Sequence, residues 1–175
     1  MTTTFTCSYE IPFHEKEFDF TCGASALRMA IHALTGNDFT EAFIARILGT
    51  SPKVGSPLKL FEQNLDRVLK EVHKKTSFEL EWIINQNGAF EQLKELLIKK
   101  YIVLLNHKKL SGGSHWAILR SINVHDITLI DPEFGPQKTY TLDKFDWQGG
   151  TTIITTKAYV AIRLRGIEGV PRFKN

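Results

Sequence analysis

The segment Asp19-Phe20-Thr21-Cys22-Gly23-Ala24-Ser25-Ala26-Leu27-Arg28-Met29-Ala30 decides the fold of this 175-residue chain. A cysteine stands where a short extended segment is predicted to turn into a helix, and apolar residues then recur at helical spacing at Leu27, Ile31 and Leu34. Backbone N–H groups at a helix N-terminus stabilise a thiolate. Cys22 is therefore a candidate nucleophile, which would need a histidine base and a group that orients this base.

Length and composition indicate one soluble globular domain that spans residues 1–175. Hydrophobic residues make up 42% of the chain and charged residues 23%, which are ordinary values. The net charge of +3 is small and dispersed, which argues against a nucleic-acid partner. No stretch approaches the ~18 apolar residues of a membrane span, and the N-terminus has no signal-peptide pattern. We therefore expect a cytoplasmic protein without a membrane partner.

The cysteines and histidines give no sign of a disulfide scaffold or a metal site. Two cysteines, Cys7 and Cys22, in a chain without an export signal favour reduced thiols. The six histidines show no tight spacing with one another or with the cysteines, so the sequence predicts no metal ligands and no cofactor. Any chemistry is therefore expected to come from the side chains themselves.

Apolar periodicity predicts four helices and one strand over residues 22–97. They are the cysteine helix over 22–34, a helix over 40–48 that ends at Gly49, a helix over 58–72, a strand over 78–84 and a helix over 90–97. Thr40 is a candidate N-cap for the second helix, although Phe43 at the fourth position leaves no capping box. A short edge strand is predicted within residues 2–11.

From residue 101 the pattern becomes mostly β. Strands are predicted over 101–106, 115–122, 127–132, 139–142 and about 151–164, with loops over 107–114 and 133–138. Helices that precede an antiparallel sheet are typical of an α+β domain. The loops over 50–57 and 107–114 are expected to flank a cleft, because binding residues favour loops on a rigid scaffold.

His115 and Asp131 are the candidate partners of the nucleophile. His115 follows a Gly-Gly-Ser loop at the start of an apolar strand, and Asp131 ends the next strand sixteen positions later. A hairpin that turns near Asn123 sets the two residues opposite each other. A turn centred between residues 124 and 125 sets Asp131 against Ile118, ~10 Å along the strand, and would need a bulge. The spacing permits a pair in which the carboxylate holds the histidine tautomer.

Each of these three residues also has an ordinary structural interpretation. A cysteine at a helix start is more often a small buried hydrophobe, and an aspartate before proline is commonly a turn former. A lone histidine at a strand start is more often a surface or turn residue. Each residue lies at the end of a different predicted element, however, and this arrangement favours one shared site.

The chain resembles the papain-like cysteine peptidases in three blocks, which are the segment from Phe18 to Ala30, Gly113-Ser114-His115-Trp116-Ala117-Ile118-Leu119, and Thr128-Leu129-Ile130-Asp131-Pro132. The match is best with the bacteriocin-processing, double-glycine-leader branch and its stand-alone relatives. The resemblance spans residues 9–132 and implies a papain-like fold with Cys22 as nucleophile, His115 as general base and acid, and Asp131 as the orienting residue. It implies a peptide, acyl or amide substrate without identifying it, because this chain has no transporter segments.

One position departs from that family, in which a glutamine six residues before the cysteine donates its amide N–H to the oxyanion. Here this position is Lys16. Its ammonium could donate to the oxyanion and favour the thiolate, or it could pair with a glutamate and leave the Cys22 backbone N–H to act largely alone. Gly23 and Trp116 are further candidates for oxyanion or substrate binding. Trp116 could equally point into the core.

Three functions follow from this site. The first is a hydrolase that cleaves a peptide or other amide bond through an acyl-enzyme on Cys22. The second is an acyltransferase or amide-forming enzyme that passes the same acyl group to an amine or thiol, which the replacement at Lys16 favours. The third is a non-catalytic binding module on the same scaffold. The sequence favours the hydrolase, because all three residue types of a Cys-His-Asp triad are present.

Overall fold

The computed structural model describes residues 2–73, 78–84, 89–108, 113–143, 145 and 158–165. The helices in these ranges are α1 (Cys22–Thr35), α2 (Glu41–Leu48), α3 (Leu58–Val72) and α4 (Ala89–Ile98). The strands are β1 (Phe5–Thr6), β2 (Phe78–Ile84), β3 (Ile102–Lys108), β4 (Ser114–Ile122), β5 (Asp126–Asp131), β6 (Gly135–Thr141) and β7 (Ala158–Leu164). None of the helices described combines the length and apolarity that a membrane crossing requires.

The seven described strands form one antiparallel sheet. Six of them lie in the order β2-β7-β3-β4-β5-β6, and β1 pairs with the end of β4. The last described strand, β7, therefore lies between β2 and β3. It joins the strand that precedes α4 to the strands that follow α4. Helices that come first and pack on an antiparallel sheet confirm the predicted α+β class.

The sheet separates two apolar cores. Ile102 and Leu104 of β3 pack with α1, α2 and α3, while Val103 and Leu105 pack with α4. Successive side chains of a strand point to opposite faces, so a strand covered on both sides has to be apolar throughout. This explains why β3 is a continuous apolar run. Helix α1 belongs to the first core and has eleven buried residues among its fourteen.

The helix bounds agree with the predicted ones to within two residues, and the largest difference lies at β6. This strand begins at Gly135, although residues 133–138 were expected to form a loop. The Asp131 carboxylate accepts hydrogen bonds from the backbone N–H groups of Glu133 and Phe134, and Gly135 adopts a φ of 104°. The prediction of a loop was wrong because this side chain closes a tight turn.

Parts of the predicted elements fall on residues that the structure does not describe. These are the turn over 85–88, residues 109–112 of the loop predicted over 107–114, and the first half of the strand predicted over about 151–164. Strand β3 extends to Lys108 and so includes the first residues of that predicted loop.

Next to the turn, the register between β4 and β5 is that of the expected hairpin centred between residues 124 and 125, because Ser121 pairs with Thr128 and Ile122 with Ile127. The bulge that this hairpin needed is present. Ile118 pairs with Ile130, and the pairing shifts by one residue at a bulge between Leu119 and Ser121. A bulge inserts an extra residue into one strand and bends it. Along this register Asp131 lies diagonally across from the start of β4, within reach of a long side chain on the same face.

The segment over residues 12–20, here called the N-terminal strap, crosses the start of α1. The Ser25 hydroxyl donates to the His14 carbonyl at 3.0 Å. The Glu17 N–H donates to the two carboxylate oxygens of Glu41, at 3.0 and 3.2 Å. Glu41 is fully buried in the first turn of α2, so it ties the strap to both helices.

Gly23, directly after Cys22, allows the loop before α3 to approach α1. A Cβ at this position would lie 2.5 Å from Ser56 Cβ and 2.6 Å from Phe61 Cε2. We expect Gly23→Ala to lower the free energy of unfolding by about 1–3 kcal/mol, the usual cost of overpacking, although alanine is the better helix former. Urea unfolding measures this change.

The variant Ser56→Gly is the control, because it removes two of the three atoms that the new Cβ would meet. We expect the double variant Gly23→Ala/Ser56→Gly to lose less stability than the two single losses added together. The close packing at this glycine would be contradicted if the stability losses of the two single variants simply added in the double variant. An unchanged urea midpoint for Gly23→Ala would contradict it as well.

Candidate active site

Cys22 is the first residue of α1 and is 7% exposed. A tight turn leads into it, because the Thr21 N–H and hydroxyl both donate to the Phe18 carbonyl, at 3.1 and 2.8 Å. The first turn of α1 contains no acidic residue that would oppose the positive end of the helix dipole. This placement suits a cysteine that has to carry negative charge.

His115 lies on β4 and forms a fully buried pair with the carboxylate of Asp131. The ring Nε2 is 2.8 Å from Asp131 Oδ1, and neither side chain is exposed. The same oxygen accepts the backbone N–H groups of Glu133 and Phe134, at 2.8 and 3.1 Å. The tight turn before β6 therefore fixes the carboxylate, and the carboxylate fixes the orientation of the ring.

The electrostatics of the pair favour the charged forms of both groups. Burial lowers the pKa of His115, but hydrogen bonds with Asp131 and with Cys22 outweigh burial and raise this pKa to about 9. Burial raises the pKa of Asp131, but the bond to His115 and the two backbone N–H groups bring it below its ordinary value. The site can therefore hold an imidazolium between a carboxylate and the sulfur at neutral pH.

The ammonium of Lys16 pairs with carboxylates. Its Nζ lies 3.2 Å from Glu133 Oε2 and 3.2 Å from Asp19 Oδ1, and the side chain is only 9% exposed. The backbone N–H of Lys16 donates to the Pro132 carbonyl at 2.9 Å, which ties the strap to the turn after β5. Burial lowers the pKa of Lys16, but the two carboxylates outweigh burial and raise it. Of the two alternatives for this residue, the structure has the pair with a glutamate.

Glu133 is the residue that sequence reasoning missed. Its Oε2 accepts from Lys16 and lies 3.7 Å from His115 Nδ1, so one carboxylate oxygen faces both cations. No sequence signal marked Glu133, because it gains these contacts only when the strap reaches the turn after β5.

His107 was missed as well, because it was expected in a loop. It lies on β3 directly opposite His115, and the two rings meet edge to face with centroids 5.3 Å apart. Only 2% of His107 is exposed, and the Phe145 ring packs against it. This aromatic wall helps to shield the base from water.

Trp116 and Gly23 face the core. The Trp116 side chain is fully buried, its Nε1 donates to the Ser56 carbonyl at 2.6 Å, and its ring stacks on Phe61 with centroids 4.0 Å apart. Gly23 faces the same two residues. Both therefore secure the loop before α3, and their predicted contact with the oxyanion or substrate has no support from this geometry.

Two clusters in the described part of the chain bring histidine and aspartate atoms within 4.8 Å of one another. One contains His107, His115 and Asp131 and coincides with the candidate active site. The other contains His14, His32 and Asp38 and lies where the strap meets α1. In the first cluster the ring of His115 is already bound by the carboxylate, so this arrangement favours proton transfer over metal binding.

Comparison with solved structures shows the same fold in peptidase domains. The peptidase domain of Streptococcus ComA, a bifunctional ABC transporter involved in a quorum-sensing pathway, matches with a TM-score of 0.61 and 15% identity over 89% of this chain and 98% of that one. A double-glycine motif protease from an AMS/PCAT transporter, solved in complex with the leader peptide, matches with a TM-score of 0.57 and 15% identity over 89% of this chain and 91% of that one. No protein-family model and no curated protein sequence matches the chain.

These likenesses define the class of fold, which is that of the peptidase domains just described. The fold that the three sequence blocks implied is thereby confirmed. At 15% identity the likeness extends to the fold. The chemistry of the site therefore has to be argued from the residues of this chain.

We expect iodoacetamide to alkylate Cys22 at least about tenfold faster than Cys7 at pH 7, because the thiolate is the reactive form. Cys22 lies beside the protonated ring, whereas burial raises the pKa of Cys7. Peptide mapping by mass spectrometry after timed labelling measures the two rates.

Cys7→Ser is the matched control and should leave the labelling of Cys22 unchanged. His115→Ala should slow it at pH 6, where the imidazolium normally holds the thiolate. Equal labelling of the two cysteines across pH 6–9 would show that Cys22 is not activated.

Proposed function

We propose that this protein is a cysteine peptidase that cleaves a peptide bond through an acyl-enzyme. The proposal rests on the buried hydrogen bond between His115 and Asp131, whose two atoms are 2.8 Å apart. The same histidine ring also forms a hydrogen bond with Cys22. The fold shared with peptidase domains supports it. In this proposal Cys22 is the nucleophile, His115 is the general base and acid, and Asp131 orients the ring.

The first half-reaction forms a thioester. The Cys22 Sγ, whose proton rests on His115, attacks the carbonyl carbon of the scissile bond and gives a tetrahedral oxyanion. The intermediate expels the amine, which takes the proton from the imidazolium, and the acyl group stays on sulfur. Asp131 keeps the ring in place and stabilises its charge while the proton is held there.

The second half-reaction uses water. His115, now neutral, accepts a proton from a water molecule as this water attacks the thioester carbon. The intermediate expels the Cys22 thiolate and leaves the free acid, while the proton stays on the imidazole. The starting pair of thiolate and imidazolium is thereby restored.

The oxyanion is stabilised mainly by the Cys22 backbone N–H at the start of α1. Lys16, which stands at the family's glutamine position, has its ammonium within 3.2 Å of both Glu133 and Asp19. In this proposal Lys16 neutralises Glu133 beside the ring and does not donate to the oxyanion. Since one oxyanion donor is worth about 10²–10³ in rate, hydrolysis is expected to be slow.

The substrate is proposed to be a peptide segment. The second structural neighbour was solved with a leader peptide, and the likeness of fold favours an extended peptide here as well. Phe134 is half exposed and its ring lies 6.1 Å from that of His115. An exposed aromatic side chain beside the base offers apolar surface to a substrate residue next to the scissile bond.

The test is intact-mass detection of an acyl adduct during turnover of a peptide panel that includes double-glycine sequences. We expect the adduct on Cys22, release of the free acid, and loss of both in Cys22→Ala but not in Cys7→Ala. A product formed only with an added amine or thiol would replace hydrolysis by acyl transfer. An unchanged biological effect of Cys22→Ala would favour the binding module.

The pH dependence of hydrolysis follows from the raised pKa of His115. Proton donation to the leaving amine needs the imidazolium, so kcat/KM should fall as the pH rises through about 9. Asp131 raises this pKa. In Asp131→Asn the fall in kcat/KM at high pH, here called the upper limb of the profile, should therefore occur about 1–3 pH units lower. The apparent pKa of this limb belongs to the coupled Cys22–His115 pair and not to either residue alone.

Asp126→Asn is the control for this profile, because Asp126 begins the strand that Asp131 ends. Its profile should equal that of the wild type. An upper limb that stays in place in Asp131→Asn would show that the carboxylate does not set the protonation of the ring.

Substitution of Lys16 tests how the oxyanion is stabilised. We expect Lys16→Met/Glu133→Gln, which removes the ion pair as a unit, to keep kcat within about tenfold of the wild type, because the helix N-terminus supplies the main donor. The single variant Lys16→Met is the comparison, since it leaves the Glu133 charge beside His115. A loss of about 10²–10³ in kcat in both variants would show that the ammonium itself stabilises the oxyanion.

A further inference from the structure

Outside the active site, His14 on the strap meets His32 and Asp38 at the C-terminal end of α1. We propose that these three residues form a binding site for a divalent transition-metal ion, with Zn²⁺ as the best fit. The sequence predicted no metal ligands, because His14 and His32 are eighteen positions apart and only the fold brings them together.

The ligand atoms are spaced as a zinc site requires. His14 Nε2 lies 3.1 Å from His32 Nδ1 and 3.6 Å from Asp38 Oδ1, and the three ligand atoms lie within 4.8 Å of one another. Tetrahedral Zn²⁺ with bonds of ~2.0–2.1 Å holds its ligand atoms ~3.3–3.4 Å apart. One ion could therefore contact all three atoms after small side-chain movements.

The chemistry of the ligands also suits zinc. Two imidazole nitrogens and one carboxylate leave a fourth position for water, and the His14 and Asp38 side chains are 19% and 41% exposed, which gives solvent access.

Arg28 disfavours metal binding at this site, because it is bound to one of the three ligands. Its Nε and Nη2 donate to the two oxygens of Asp38 at 2.8 and 2.9 Å. A carboxylate has about four lone-pair positions, so Oδ1 keeps one for a metal, and ligating carboxylates are commonly hydrogen-bonded by a second layer of side chains. The guanidinium charge weakens cation binding, while the negative end of the α1 dipole near His32 favours it.

An ion at this place would join the strap to α1. The Ser25 and Glu41 bonds hold the strap by its backbone, and the ion would add a side-chain link two residues before Lys16. A ligand that binds only the folded state stabilises it by mass action. Zinc is therefore expected to raise the melting temperature, whether or not the chain is a peptidase.

The test uses Cys22→Ala, so that the thiolate beside His115 cannot supply a competing zinc site. Isothermal titration with ZnCl₂ should give one equivalent, and Tm should rise with zinc concentration. His14→Ala and His32→Ala in this background should lose both effects, whereas His125→Ala, which removes an exposed histidine elsewhere, should keep them.

Side-chain ¹H–¹⁵N spectra of histidine in the Cys22→Ala protein give a readout that does not depend on the folding of further variants. We expect zinc to shift the ring signals of His14 and His32 and to leave His125 in place. No zinc binding, shifts confined to His107 and His115, or equal binding by His14→Ala would overturn the proposal.

Discussion

The buried bond between His115 and Asp131 constrains the rest of the candidate site. Two ionisable groups removed from water are costly unless they are paired and hydrogen-bonded. Here Asp131 Oδ1 accepts the ring and two backbone N–H groups, so the same oxygen that orients the base also closes the turn into β6. The position of β6, the shape of that turn and the direction of the histidine ring all depend on one carboxylate.

The second constraint is the charge next to the other ring nitrogen. Glu133 Oε2 lies 3.7 Å from His115 Nδ1, and an unpaired carboxylate there would compete with the Cys22 thiolate for the imidazolium. Lys16 lies 3.2 Å from the same oxygen and offsets its charge. Lys16 and Glu133 therefore form a matched pair. A glutamine at residue 16 would remove the positive charge that offsets this carboxylate, which gives a physical reason for the departure from the family pattern.

The sequence predicted those features that depend on local pattern. Apolar spacing placed α1 with Cys22 at its first residue, and alternation placed β2 over its full length. Features that depend on side-chain contacts across the fold were missed. The sequence left two registers of the β4–β5 hairpin open and could not choose between them, because the bulge that one of them needed has no composition signal. Glu133 gains its role only when the strap reaches the turn after β5.

The strap carries Lys16, which stands where the family that the motifs resemble has a glutamine. Helix α1 and strands β4 and β5 hold Cys22, His115 and Asp131 on regular elements. The strap contains no helix or strand. Its backbone is hydrogen-bonded to Ser25, to Pro132 and to both carboxylate oxygens of Glu41. Its side chains contact His32, Glu133 and Arg28. These contacts together set the position of Lys16. The electrostatics of the site therefore depend on how firmly the strap is anchored.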